Sequence, residues 1–222
     1  MILYSSPLAC SSAAHLVLIE LGIPHEIEYV DIYAQPHVLI SDGTPFVELS
    51  PKNSVPALKL ESGELLTEIG VIVQYLADLK PGTDLLPPVG TLARYRVMEW
   101  LSYVGSDLHK TIGPLFNPQM PEAAKLIHQQ NLDRRLTYID ERLAHQSYLT
   151  GESFTVADAY LFVMIGWEHY FKFALSPYPN LARFHARISS RSSFSQLIQL
   201  ISPALGQVKL PAFPTAKSRS AT

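Results

Sequence analysis

The sequence contains only one cysteine, Cys10, among its 222 residues, so no disulfide can form within the chain. A lone thiol without a disulfide fits a reducing compartment. No stretch approaches the roughly 20 apolar residues that a membrane-spanning helix requires, and the first residues lack the basic and apolar segments of a secretion signal. We therefore expect a cytoplasmic protein with no membrane partner.

Positive charge is also scarce. The chain has 17 Lys and Arg residues against 20 Asp and Glu residues, which gives a formal net charge of −3. A field of this sign does not attract nucleic acid, so we expect no nucleic-acid partner, and any anion site must be local. No group of His and Cys residues has the spacing of metal ligands, so we expect no metal.

Short strand and helix signals alternate in the first third of the chain. An apolar strand at residues 2–4 is followed by a helical pattern and then by an alternating strand pattern at residues 25–30. Residues 34–45 are polar and contain prolines, which predicts a loop. A hairpin at residues 57–66 precedes a helix that Thr67 can cap. The order predicts an α/β domain with a mixed four-stranded sheet flanked by helices.

The patterns become helical throughout after a segment that contains three prolines and two glycines, residues 81–90. We therefore predict an α/β domain at residues 1–80, a linker at 81–90, an all-α domain at 91–202 and an irregular arm at 203–222. Thr155 and Asp158 match a capping box within the second domain. The helices predicted there lie around residues 97–108 and at 122–144, 156–173, 180–189 and 194–201.

Cys10 follows the first strand and lies at the opening of the first predicted helix. The free N–H groups and the positive dipole end of a helix N-terminus favour thiolate over thiol, so this placement predicts a lowered pKa and a reactive group. The alternative from position alone is a small hydrophobic core residue without chemistry, which is common for lone cysteines.

A set of short segments in the same order resembles the bacterial beta-class glutathione transferases. It includes Ser-Pro-Leu-Ala-Cys-Ser around Cys10 and Ser-Val-Pro-Ala-Leu around Pro56. The resemblance runs from residue 1 to about residue 200 and implies a thioredoxin-like N-terminal domain, an all-helical C-terminal domain, a homodimer and a glutathione site between the domains. The segments are residues 6–11, 51–58, 66–68, 72–78, 99–101, 106–110 and 154–160.

The resemblance also implies which residues hold glutathione, a tripeptide with two carboxylates, one ammonium and one thiol. Val55, in a cis peptide with Pro56, would offer backbone groups to the cysteinyl unit. Glu68 would hold the ammonium, and the amides of Ile69 and Gly70 would face the γ-glutamyl carboxylate. The further binding residues that it implies are Gln35, Ser102, Ser106 and Lys110.

Cys10 and His109 are the catalytic residues that the resemblance implies, both beside the glutathione sulfur. His109 is of a type that can share a proton near neutral pH. A histidine beside the apolar face of a helix is otherwise commonly a boundary residue bonded within its own domain. Trp167, Tyr170 and Phe171 are candidate walls of an electrophile pocket, although aromatic residues on a long helix more usually belong to the core.

Three residues depart from the pattern of the class. Gln35 stands where the class has a lysine that pairs with the glycyl carboxylate, Ile69 replaces a small residue, and Ser102 replaces an asparagine. Loss of a charge-assisted contact weakens binding about tenfold to a hundredfold unless another group compensates. His37 and Lys52 are the candidates for compensation.

We therefore expect a dimeric glutathione transferase that conjugates reduced glutathione, its co-substrate, to a hydrophobic small-molecule electrophile. Some glutathione-dependent disulfide exchange through Cys10 would accompany it. Two alternatives remain open. One is a monothiol, glutaredoxin-like oxidoreductase, since Cys10 has no second cysteine in a C-x-x-C motif. The other is a non-catalytic binding or regulatory protein that keeps the fold, because a fold does not prove a function.

Overall fold

The N-terminal part of the chain is a five-stranded sheet covered by helices. The structure, a computed structural model, describes residues 1–168 and 174–208. The strand order is β3-β2-β1-β4-β5, with β1 parallel to β2 and the other neighbours antiparallel. The strands are β1 (Ile2–Ser5), β2 (Glu26–Asp31), β3 (Val38–Leu39), β4 (Ala57–Lys59) and β5 (Leu65–Thr67). The helices of this part are α1 (Ser12–Leu21), α2 (Phe46–Leu49) and α3 (Ile69–Asp78).

The sheet has one strand more than the sequence predicts, so the prediction of four strands is wrong. The additional strand, β3, lies within residues 34–45, which we expected to form a loop. Val38 and Leu39 pair with Asp31 and Val30 of β2. A strand of two residues is too short for an alternating pattern, and it is defined by its pairing with β2 rather than by its own sequence.

The C-terminal part is helical, and it carries an irregular turn where the sequence predicts one continuous helix. The helix predicted around residues 97–108 divides into α4 and a π-helical segment, Val104–His109. π-Helical turns are rare and occur frequently at functional sites. The α-helices here are α4 (Leu92–Tyr103), α5 (Lys110–Ile112), α6 (Glu122–Leu143), α7 (Val156–Gly166), α8 (Pro179–Ser189) and α9 (Ser192–Leu205).

The end of the chain also differs from the prediction. Helix α9 continues through Pro203 to Leu205, so the irregular arm does not begin at residue 203. Residues 209–222 of that predicted arm lie outside the described residues, as do residues 169–173, where we predicted the end of a helix. Within residues 1–168 and 174–208, no helix has the length and apolar character needed to cross a membrane.

Helix α7 forms the centre of the molecule and joins its two parts. Every residue of α7 except Gly166 is buried, and the helix packs on both α1 and α4. Arg191, before α9, donates hydrogen bonds of 2.7 and 2.8 Å to the carboxylate of Glu20 on α1. These contacts fix the helical part against the sheet part.

The predicted capping box at the start of α7 is confirmed. The carboxylate of Asp158 is fully buried, and it accepts hydrogen bonds from the Thr155 amide at 2.8 Å, the Thr155 hydroxyl at 2.6 Å and the Leu149 amide at 2.8 Å. A buried carboxylate needs such donors because the loss of water is costly. Asp158 therefore sets the position of the central helix.

A buried histidine on α1 has no hydrogen-bonding role within the described residues. His15 is 1% exposed, and neither of its ring nitrogens has a partner there. The ring of His25 meets it edge-on, with 5.3 Å between the ring centres. Burial, with a smaller contribution from the charge of His25, lowers the pKa of His15 from 6.5 to about 4. His15 is therefore neutral in the folded protein at neutral pH.

We predict that His15 makes the protein less stable in mild acid. Because the folded pKa lies below the unfolded one, the unfolded chain binds the proton first, and stability falls as the pH drops from 6.5 towards 4. Between about pH 7.5 and pH 5 the loss is about 2 kcal/mol. Urea unfolding across this range should show a fall in stability that is about 2 kcal/mol smaller in His15→Leu, while the contribution of His109, whose pKa is also lowered to about 4, remains in both proteins.

The matched control for this experiment is His145→Leu, which changes an exposed histidine. It should leave the pH dependence of the free energy of unfolding as it is in the unchanged chain. If His15→Leu and the unchanged chain show parallel pH dependence, burial of a neutral His15 is not the cause.

Candidate active site

A cleft of about 1170 Å³ opens between the sheet part and the helical part. Its walls come from the loop before α1, the segment before β4, the start of α3, and the region from α4 to α5. The structure brings together in this cleft every residue that we expected to act in catalysis or binding. These residues are Cys10, Gln35, Val55, Pro56, Glu68, Ile69, Ser102, Ser106, His109 and Lys110.

Cys10 lies directly before the N-cap of α1, and its thiol donates a hydrogen bond of 3.4 Å to the Val55 carbonyl. Burial raises the pKa of Cys10 from its ordinary value of 9.0 to about 12. The backbone amides of Ser11 and Cys10 and the charge of Lys110 act in the opposite direction, but their effect is smaller. The expectation of a lowered pKa is therefore wrong, and Cys10 is a neutral thiol at neutral pH.

Val55 forms the wall of the cleft beside Cys10. Its peptide bond with Pro56 is cis, as the resemblance implies, and so is the bond between Gln35 and Pro36. His37 also lines the cleft, with Nδ1 at 3.1 Å from the Asn53 carbonyl. The cleft is thus lined here by backbone groups of a tightly turned segment.

The start of α3 forms the part of the cleft wall that contains Glu68. The sequence predicts Thr67 as the cap of this helix, but Glu68 occupies the N-cap position with a φ of 73°. Its carbonyl accepts from the amides of Val71 and Ile72 at 3.0 and 2.9 Å. By helix geometry, the two preceding amides have no carbonyl partner in the helix and are available to an anion.

The carboxylate of Glu68 already has a basic partner. Lys52 Nζ lies 2.6 Å from Glu68 Oε1, and the two side chains are 57% and 66% exposed. Both residues line the cleft. Ile69, by contrast, is only 9% exposed and packs into the core, so it offers the cleft its backbone more than its side chain.

The π-helical segment supplies the opposite wall. The Ser106 hydroxyl lies 2.9 Å from the Ser102 carbonyl and 3.0 Å from an oxygen of Asp107, so its hydrogen bonds are local. His109 Nδ1 lies 2.6 Å from the hydroxyl oxygen of Tyr160. Burial, with a smaller effect of Lys110, lowers the pKa of His109 from 6.5 to about 4. His109 is therefore uncharged at neutral pH and does not titrate there as expected.

Tyr160 is a site residue that the sequence analysis did not identify. It lines the cleft from α7 although it is only 1% exposed, and burial raises its pKa above the ordinary value of 10.0. Its phenol is therefore protonated at neutral pH. Tyr160 belongs to one of the quoted segments, but a tyrosine in a mostly apolar helix is typical of a core residue, and only the contact with His109 reveals its role.

Trp167 joins the helical wall of the cleft to the loop before Cys10. Its indole N–H donates a hydrogen bond of 2.8 Å to the Leu8 carbonyl. The Trp167 ring meets the rings of His109 and Phe116 at steep angles, with centre distances of 5.3 and 5.0 Å. Trp167 lines the cleft as expected. Tyr170 and Phe171, the other two candidate walls, lie outside the described residues.

Two family models match most of the chain. Residues 9–79 match the N-terminal domain of glutathione S-transferases, and residues 103–192 match the C-terminal domain of the same proteins. The chain belongs to the glutathione S-transferase family. The N-terminal part is thus the thioredoxin-like domain of this family, followed by its all-helical domain, and the chain is a glutathione transferase.

Individual relatives place this glutathione transferase near bacterial enzymes. It is 39% identical over 189 residues to glutathione S-transferase GstA of Escherichia coli O157:H7, covering 85% of this chain and 92% of the relative. The beta-class enzyme of Sphingomonas chungbukensis has a TM-score of 0.84 at 40% identity, covering 90% and 98% of the two chains. A sphingomonad glutathione S-transferase complexed with glutathione has a TM-score of 0.85 at 37% identity, covering 91% and 99%.

The cleft of this glutathione transferase is lined by several kinds of polar side chain. Within residues 1–168 and 174–208, no group of three or more His, Cys, Asp and Glu side chains is placed to hold a metal ion. The polar groups that line the cleft include hydroxyls, side-chain amides, one thiol, two imidazoles, one carboxylate and two ammonium groups.

We predict that Cys10 alkylates slowly in the folded protein. Thiolate is the reactive form, and a pKa of about 12 leaves very little of it at neutral pH. At about pH 7.5, iodoacetamide should react at least about a hundredfold more slowly with the folded chain than with the chain in denaturant. Because Cys10 is the only cysteine, mass spectrometry of the intact chain measures this directly. Equal rates would contradict the raised pKa.

Proposed function

We propose that this transferase binds reduced glutathione along the cleft, with the γ-glutamyl unit at the start of α3 and the sulfur between Cys10 and His109. The tripeptide then attacks a hydrophobic electrophile. The observation that carries the proposal is that one cleft is lined by Glu68 with the free amides at the start of α3, by the backbone of Val55, and by Cys10 and His109. The similar sphingomonad enzyme is complexed with glutathione.

Several groups around Cys10 suit a sulfur anion brought in by the substrate. The amides of Ser11 and Cys10 and the charge of Lys110 favour negative charge at this position, and the charge of Glu68 has a smaller effect in the opposite direction. When the Tyr160 hydroxyl donates to His109 Nδ1, the Nε2 atom of His109 carries the proton and can donate it to sulfur. Fixed donors of this kind stabilise charge without needing to reorganise.

The reaction follows from this arrangement. The glutathione thiol releases its proton to solvent, and the thiolate forms a bond to an electrophilic carbon of the second substrate. The electron pair of the bond that breaks there leaves with the departing group. Leu8, Phe116 and Trp167 line the cleft near the sulfur position and offer an apolar surface to the electrophile. Burial of this substrate provides the binding energy that holds it in place for attack.

Disulfide exchange through Cys10 is the second candidate activity. The position of Cys10 in the cleft favours it, because its sulfur would lie beside that of glutathione. The raised pKa acts against it, because the attacking group in exchange is a thiolate. We therefore propose conjugation as the main activity and exchange as a slow side reaction.

We predict that Cys10→Ser separates the two activities. Conjugation of glutathione to an aryl halide should keep at least about a third of its kcat/KM. The reason is that Cys10 is a neutral thiol that donates a hydrogen bond to the Val55 carbonyl, and a serine hydroxyl can donate the same bond. Turnover of a mixed glutathione disulfide should disappear, since no other cysteine exists. Parallel loss of both activities would contradict this assignment. Calorimetry of the unchanged protein that detects no binding of millimolar glutathione would contradict the glutathione site itself.

We also propose that the protein is a homodimer formed through α3 and α4. Val71 on α3 and Leu92, Tyr95 and Met98 on α4 are exposed by 47, 70, 56 and 37%. The three residues on α4 are spaced by three, so they form one stripe along that helix. Val71 and Met98 also line the cleft, so a second copy on this surface would border the site.

Light scattering after gel filtration should therefore give twice the chain mass of 24.7 kDa. The double variant Tyr95→Glu, Met98→Glu places charge in the proposed interface and should give the single-chain mass. The matched control is Ile127→Glu, which changes a 59% exposed residue of α6 outside this stripe. A monomeric mass for the unchanged protein contradicts the proposal.

A further inference from the structure

We propose that Lys52 and Glu68 act together as a receptor for the α-amino-acid group of the substrate, with Glu68 on its ammonium and Lys52 on its carboxylate. This inference rests on the proposed function and assigns a specificity-determining role to Lys52. The cleft would then recognise the γ-glutamyl unit by two opposite charges, in addition to the backbone amides at the start of α3.

The geometry of the pair matches such a group. Lys52 Nζ and Glu68 Oε1 lie 2.6 Å apart at the wall of the cleft. An α-amino acid carries its ammonium and its carboxylate on one carbon, so its two charges are separated by a similarly short distance. One positive and one negative side chain side by side therefore present the complementary pattern. Both side chains are more than half exposed and can move by the small distance needed.

The negative charge of Glu68 is the reason why the substrate carboxylate needs Lys52. Glu68 satisfies the substrate ammonium but repels the substrate carboxylate that is bonded to the same carbon. Ile69, the next residue, is apolar and packs into the core, so its side chain contributes no polar group. Without Lys52, only the amides of Ile69 and Gly70 and the helix dipole would face that carboxylate.

The other basic groups of the cleft wall are placed elsewhere. Lys110 follows His109 directly and belongs to the opposite, helical wall of the cleft. His37 is held by the Asn53 carbonyl at 3.1 Å. Among the residues that the structure describes around this cleft, Lys52 is the cation in contact with Glu68.

Binding would exchange one ion pair for two. Before the substrate enters, Lys52 and Glu68 neutralise each other. When the zwitterion enters, each side chain takes one of its charged groups, and the Lys52–Glu68 contact loosens. The net gain is moderate because exposed charges are screened by water and salt. The effect should therefore appear in KM and leave kcat nearly unchanged.

The test compares Lys52→Met with two thiols, glutathione and 4-aminobutyryl-cysteinyl-glycine. The second thiol keeps the ammonium of glutathione but lacks the γ-glutamyl α-carboxylate. In the unchanged enzyme, the KM of the analogue should be about tenfold above that of glutathione. In Lys52→Met, the KM of glutathione should rise about tenfold, while the KM of the analogue should stay the same or fall.

The matched control is Lys59→Met, which changes an exposed lysine of the same domain away from the cleft wall. It should leave both KM values within about twofold, since a distant charge is screened. An effect of Lys59→Met as large as that of Lys52→Met would mean a general charge effect and would overturn the proposal.

Two further results would overturn it. If Lys52→Met lowers the KM of glutathione, Lys52 only competes with the substrate for Glu68. If it raises the KM of both thiols equally, Lys52 serves another part of the substrate or the fold. In either case the unchanged enzyme still turns over glutathione, so the proposed function survives. If the unchanged enzyme neither binds nor turns over glutathione, the proposed function is contradicted, and so is this inference, which rests on it.

Discussion

The packing of α7 against both α1 and α4 is the constraint on which the cleft depends. One wall of the cleft comes from the sheet part and the other from the helical part, so their separation must be fixed before the site has a shape. Asp158 sets the start of this helix, and Trp167, directly after its end, bonds to the Leu8 carbonyl at 2.8 Å. Arg191 and Glu20 add an ion pair between the same two parts. The loop that carries Cys10 is thus held from both sides.

The same enclosure decides the protonation states in the site. Burial disfavours the charged form of every group, so it raises the pKa of an acid and lowers that of a base. Cys10, with a pKa of about 12, and His109, with one of about 4, are therefore both neutral at neutral pH. Tyr160 remains protonated for the same reason. The cleft offers neutral donors and backbone dipoles near the sulfur position, and its ionised groups, Lys52, Glu68 and Lys110, belong to its more exposed parts.

Sequence reasoning found the residues of the cleft more reliably than their chemistry. Motif order was sufficient to collect Cys10, Val55, Glu68 and His109, because each motif is local and the family fold fixes how they meet. The protonation of Cys10 was predicted in the wrong direction, since a position before a helix reveals its dipole but not how deeply the sulfur is buried. Strand β3 was missed because it is defined by its pairing with β2, and the π-helical segment was missed because a helical pattern of apolar residues does not distinguish π-helical from α-helical turns. Lys52 could be suspected from its charge, but only the coordinates show its contact with Glu68.

The high pKa of Cys10 does not conflict with a site that stabilises a thiolate, because two different sulfurs are involved. The resident thiol is already bonded to the Val55 carbonyl, an acceptor that favours the protonated form. A substrate sulfur would lie on the open side of the cleft, where it keeps more water and still faces Lys110 and the start of α1. Desolvation, which is the largest cause of the raised pKa of Cys10, would therefore raise the pKa of the substrate thiol less. The backbone dipoles would lower the pKa of both thiols. The difference between the two sulfurs is thus one of burial, and it directs the chemistry towards the thiol that arrives with the ligand.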